Sequence, residues 1–101
     1  MKTNKLELSF KEIIERGEYD PAVLSNYSEW KTMSPHVQLQ YIREGMDNRR
    51  KHLLMEWAEL DRSIDARLKP NLEIAKKNIE AQLKKIESDR EKYYLEYSSK
   101  M

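Results

Sequence analysis

The sequence contains no cysteine, which removes disulfides, thiolate metal sites and cysteine nucleophiles together. Glycine occurs twice and proline three times. An all-β domain needs a turn signal roughly every 8–12 residues and cannot be written with so few. No apolar run exceeds three residues, as in Leu53-Leu54-Met55, so neither a membrane span nor a signal-peptide core is present. With no address signal of any kind, the expected compartment is cytoplasmic. An excess of one charge is missing too: 19 basic residues stand against 18 acidic. The balance is also local, with five Lys/Arg and six Asp/Glu in residues 1–34, seven and six in 35–69, and seven and six in 70–101. No acidic tail mimics DNA and no basic tail is built to coat it.

What remains is the composition of long helices in one small domain. Apolar residues make up 39% of the chain, enough to build a core and too many for a disordered chain.

The helix starts are written in caps. Ser9 followed by Glu12 has the spacing of a capping box. Phe10, Ile13 and Ile14 give the following turns an apolar face, and Gly17 supplies a left-handed stop, predicting a short helix over 10–16. Asp20-Pro21 places an acidic cap before a proline at the first helical position, predicting a second short helix over 21–27 that extends at most to Trp30. Ser34-Pro35 starts the third and longest. Leu39, Ile42, Met46, Leu53, Trp57, Leu60, Ile64 and Leu68 recur in steps of three and four, with one missing beat. This predicts an amphipathic helix over 35–68, with Gly45 inside it as a bend or a close contact. Pro70 disfavours helix at the residue before it. A last helix over 71–97 carries Leu72, Ala75, Ile79, Leu83, Ile86, Tyr93 and Tyr97, and residues 98–101 are expected to fray.

Folding the two long helices back near residue 70 pairs positions whose numbers add to about 139, so that Leu60 meets Ile79 and Leu53 meets Ile86. The missing beats then coincide. Asp47–His52 has no apolar residue, nor has Glu87–Lys92, and in an antiparallel hairpin the two windows face each other. Arg49 and Arg50 are expected to meet Glu87, Asp89 and Glu91 there, a polar layer that sets register. The expected fold class is therefore all-α: a long antiparallel helical hairpin with two short N-terminal helices packed on it. Val37, Tyr41, Leu54, Met55 and Ala58 widen the apolar stripe, to be covered by those short helices or by a four-helix self-association.

Chemistry-bearing motifs are sparse. His36 and His52 lie sixteen residues apart on one helix, about 24 Å at 1.5 Å per residue, and share no metal within a chain. No His-Glu-x-x-His pattern, phosphate loop or nucleophile elbow is present. Glu56 and Glu59 lack the histidine of a di-iron motif. The expectation is a chain that is not an enzyme and takes no metal or cofactor.

Two features suggest binding. Six tyrosines and two tryptophans accompany a single phenylalanine, and Tyr and Trp suit half-buried interface positions. Trp30 and Tyr94 are the expected exposed anchors, with Tyr41 beside them. Arg43, Arg49, Arg50 and Lys51 form the alternative, a basic edge for phosphates, interrupted by Glu44, Asp47 and Glu56. The sequence thus points first to a non-catalytic protein-binding module, a small adaptor, inhibitor or assembly factor of the kind common among bacterial and phage regulators. Its partner is another protein or a second copy of the chain. A nucleic-acid-associated helical protein is the second reading.

Overall fold

A computed structural model describes residues 8–62 and 70–101. Five helices follow one another: α1 Phe10–Glu15, α2 Pro21–Leu24, α3 Ser28–Lys31, α4 Pro35–Arg62 and α5 Pro70–Ser98. No strand occurs among the described residues. Helix α4 packs against α5 as a hairpin, and α1–α3 form a small head on it. The expected continuation of the first long helix to Leu68, with Ile64 and Leu68 in its stripe, lies outside the described residues.

The caps work as their spacing requires. Ser9 Oγ accepts from the Glu12 amide at 3.1 Å, and the Ser9 amide donates to Glu12 Oε1 at 2.8 Å. That second bond, with the Ser9 hydroxyl, holds the Glu12 carboxyl below its ordinary pKa. Gly17 takes φ +97°, a region that L side chains avoid. Asp20 Oδ1 accepts from the Ala22 amide at 2.9 Å, with Pro21 at the first helical position. The second short helix does not continue to 27. It stops after Leu24, and a separate turn, α3, begins at Ser28 with Tyr27 as its N-cap. The break lets Tyr27 turn inward, where its hydroxyl donates to the Leu8 carbonyl at 2.8 Å.

The hairpin is antiparallel and its polar windows do face each other. Asp47 pairs with Arg90 at 2.9 Å and Arg50 with Glu87 at 3.8 Å. Trp57 Nε1 donates to Glu80 at 3.0 Å and Lys76 Nζ to Asp61 at 2.8 Å. The residue numbers in every one of these pairs add to 137, so side chains meet about two positions away from the expected register. Arg49 does not join this layer. The buried member of the window is Asp89, only 7% exposed. It accepts from Tyr19 Oη and from Lys85 Nζ, both at 2.7 Å. Burial pushes its carboxyl pKa up, but the bonds from Lys85 and Tyr19 outweigh burial and hold it below the ordinary value. Burial and the same Asp89 bond push the Tyr19 phenol well up.

The head docks along one side of α4 by polar donors aimed at its backbone. Gln38 Nε2 donates to the Trp30 carbonyl at 2.8 Å, Asn48 Nδ2 to the Ile14 carbonyl at 2.9 Å, and Arg49 Nε to the Gly17 carbonyl at 2.9 Å. The Ile14 and Trp30 carbonyls each accept a backbone amide as well, from Gly17 and Met33, so the α4 donors add a second bond at these two helix ends. Gly45 marks a close contact: a Cβ there would collide with the Glu18 carbonyl oxygen and sit 3.1 Å from Tyr19 Cβ.

The core runs from the head into the open end of the hairpin. Ile14, Leu24, Ile42, Met46 and Ile86 are fully enclosed. Phe10 sits at the centre of an aromatic cluster, with ring centroids 5.1 Å from Tyr41, 5.6 Å from Tyr27 and 6.4 Å from Trp30. Trp30 in turn meets Tyr97 edge-on at 6.4 Å. The head's docking bonds reach α4 no further than Asn48 and Arg49, and among the described residues the hairpin beyond them is a two-helix stalk.

Candidate binding surface

Of the three expected anchors, only Tyr94 stands on the surface, 49% exposed. Trp30 is 6% exposed and belongs to the core, because the head folds back and wedges it between Phe10 and Tyr97. Tyr41 is half-buried against Phe10. The three do not share an exposed face.

The expected basic edge does not assemble either. Arg49 turns into the head, with its guanidinium carbon 5.7 Å from the Tyr19 ring centroid. Arg50 faces Glu87, and Arg43 lies over the Tyr94 ring at 5.8 Å. Lys51 is exposed and, at 100° per residue, projects about 100° away from Arg50 around α4. Arg43 and Arg50 thus share one side of the helix, while Arg49 and Lys51 point away from it to either side.

Nor does the cleft beside Asp89 define a ligand. It holds about 210 Å³ and is lined by Glu18, Asp20, Arg49, Lys85 and Asp89, among others. Carboxylates and cations alternate around it, so it selects neither an anion nor a cation.

A different surface stands out. On α4, Arg43, Asp47, Arg50, Leu54, Trp57 and Asp61 follow in steps of four and three, which places them along one side of the helix. Their counterparts on α5 are Tyr94, Arg90, Glu87, Leu83, Glu80 and Lys76. A cation–π contact, three ion pairs and the Trp57–Glu80 hydrogen bond join them rung by rung. Leu54 and Leu83 complete the series, lining one largely apolar groove of about 190 Å³ with Arg50, Lys84 and Glu87. The head docks through Gln38, Gly45, Asn48 and Arg49, on the other side of α4, so that among the described residues the ladder is open along its length.

The apolar stripes of the sequence do not reveal the ladder. Its signal is a second three-and-four repeat beside the main stripe, and only two of its α4 members are apolar.

On the ladder and off it, the stalk keeps apolar side chains in solvent. Leu54 is 41% exposed, Met55 58% and Ile74 59%, while Trp57, Leu60, Leu72 and Leu83 are half-buried. The short helices cover none of these, contrary to the expectation for Leu54 and Met55. They spend their own apolar faces on the other end of the hairpin.

The fold and surface define an all-α helical hairpin with a packed head and an uncovered stalk. No protein-family model matches the chain, and neither the curated proteins nor the solved structures give a match. No described helix is long and apolar enough to cross a membrane.

Proposed function

We propose that this chain is a non-catalytic protein-binding module, a small adaptor, inhibitor or assembly factor that offers the surface of its helical hairpin to a protein partner. The observation that carries the reading is the uncovered stalk. Two helices side by side cannot enclose each other's apolar residues, and here the head protects only one end. Leu54, Met55 and Ile74 remain in water, at a cost of roughly 25 cal/mol for each Å² of apolar surface that a partner would cover. Exposed apolar surface rimmed by charge is the usual composition of an interaction site. Glu56 and Glu59 beside Met55, and Glu73 and Lys77 beside Ile74, supply that rim.

Photo-crosslinking in the cells that make the protein tests this. A benzophenone side chain at Met55 or at Ile74 is expected to capture the same polypeptide, while one at Lys31 on the head does not. Adducts no richer at the stalk than at Lys31 would overturn the proposal.

A further inference from the structure

Every ion-paired rung of the exposed ladder joins unlike charges: Asp47 with Arg90, Arg50 with Glu87, Asp61 with Lys76. This has a geometric consequence for a second copy. A twofold axis running along the hairpin, between two ladders laid face to face, brings α4 of one copy opposite α5 of the other at the same level. Each charge then meets the opposite charge that it already meets within its own chain, and Leu54 meets Leu83 of the second copy. Only in this orientation are all three ion-paired rungs matched at once.

The other way of facing two ladders places the twofold axis across the helices. Centred on the leucine rung, that axis lays Asp47 against Asp61 of the second copy, since both lie seven residues from Leu54. By the same count Arg90 meets Lys76. Like charges in register oppose this pairing, and moving the axis to the midpoint of Leu54 and Trp57 matches Arg50 with Asp61 but leaves the Asp47–Arg90 rung with no rung of the ladder opposite it.

We infer that two copies of this chain pair in parallel through the Arg43–Asp61 side of α4 and the Lys76–Tyr94 side of α5, forming a four-helix arrangement in which neighbouring helices run antiparallel. The head lies on the far side of α4 and is not displaced. The ladder is nineteen residues long and two helices wide, which gives roughly 27 by 20 Å and about 1,000 Å² buried over both copies. That is the size of a reversible contact. The apolar groove at its middle supplies the attraction, and the charges select orientation and partner.

The inference deepens the reading of the hairpin as a protein-binding surface, and a charge swap separates the two. The variant D47R/R50E/E87R/R90D preserves both swapped rungs within the chain with their signs reversed, so it folds if the wild type folds. It is expected to self-associate within about threefold of the wild type, because reversed ladders still match each other. A mixed pair sets wild-type Arg50 against the arginine that replaces Glu87 in the variant, and wild-type Glu87 against the glutamate that replaces Arg50. It is expected to be weaker by about tenfold or more, read as a failure of fluorescently labelled wild-type and swapped chains to exchange. Cysteine pairs fix the orientation without altering charge. Under mild oxidation, a mixture of Leu54→Cys and Leu83→Cys chains is expected to give covalent dimers faster than either alone.

A strict monomer by sedimentation at millimolar concentration, free mixing of wild-type and swapped chains, or rapid disulfide formation by Leu54→Cys alone would overturn the inference. None of these results touches capture of a different polypeptide at Met55 and Ile74, so the two readings can fail separately.

Discussion

Tyr19 Oη donates to Asp89 Oδ2 at 2.7 Å, across seventy positions of sequence. This bond ties the head to α5 and satisfies the most deeply buried carboxylate described in the structure. Tyr19→Phe removes the donor and leaves Lys85, itself largely exposed, as the remaining partner among the described residues. Bonds to charged groups are worth about 1.5–3 kcal/mol, and urea unfolding should show a loss at the lower end of that range with the m-value unchanged. An unchanged midpoint would mean that water replaces the phenol freely.

The same carboxylate predicts a pH dependence. Its folded-state pKa is held below the unfolded value, so its contribution is complete above the unfolded pKa, about 3.9, and disappears as pH falls through the folded value. Wild-type stability should therefore fall more steeply below about pH 4 than that of Asp89→Asn. Parallel slopes in urea titrations from pH 6 downward would remove Asp89 as a source of acid sensitivity.

Gly45→Ala gives a test by sign. In an exposed helix interior the change stabilises by about 1 kcal/mol. Here the new methyl meets the Glu18 carbonyl and Tyr19 Cβ, and overpacking against backbone costs roughly 1–3 kcal/mol. A net destabilisation is expected, accompanied by faster amide exchange in residues 10–31. A stabilised protein would show that the head sits more loosely on α4 than the contact of Glu18 with Gly45 requires.

Neighbouring residues on the stalk should respond oppositely to truncation. Leu53 is buried in the seam, and Leu53→Ala should cost about 2–5 kcal/mol. Met55→Ser and Ile74→Ser remove exposed side chains and should stay within about 0.5 kcal/mol of wild type. Thermal melts of the three variants distinguish seam from surface directly, and the two neutral variants then serve as binding-defective controls that still fold.

Much of the fold was legible because its information is local or periodic. The Ser9–Glu12 box, the Asp20-Pro21 start and the Gly17 stop are each written within a few residues. The hairpin was legible from two stripes and their facing gaps. The head's position was not, because Gln38, Asn48 and Arg49 hold it by donating to carbonyls, and a side-chain bond to backbone leaves no residue-type pattern on the accepting side. For the same reason Trp30 read as a surface anchor. Its burial depends on Phe10 and Tyr97, 20 and 67 positions away. The ladder was legible in principle, since its members keep a strict spacing, but its information is carried by alternating charge and leaves no apolar stripe.

The bond between Tyr19 and Asp89 also orders events in time. A chain emerging from the ribosome releases the head and then α4 well before α5. Until Asp89, Tyr93 and Tyr97 appear, the inward faces of Tyr19, Trp30 and Met46 have no opposite wall. The head therefore completes its packing after the hairpin closes, although it is made first. Loop closure over such separations slows folding, and apolar surface held open in the interval is what chaperones and proteases detect. Substitutions that weaken the far end of α5 should accordingly shorten the life of the newly made chain before they alter any surface that the finished protein presents.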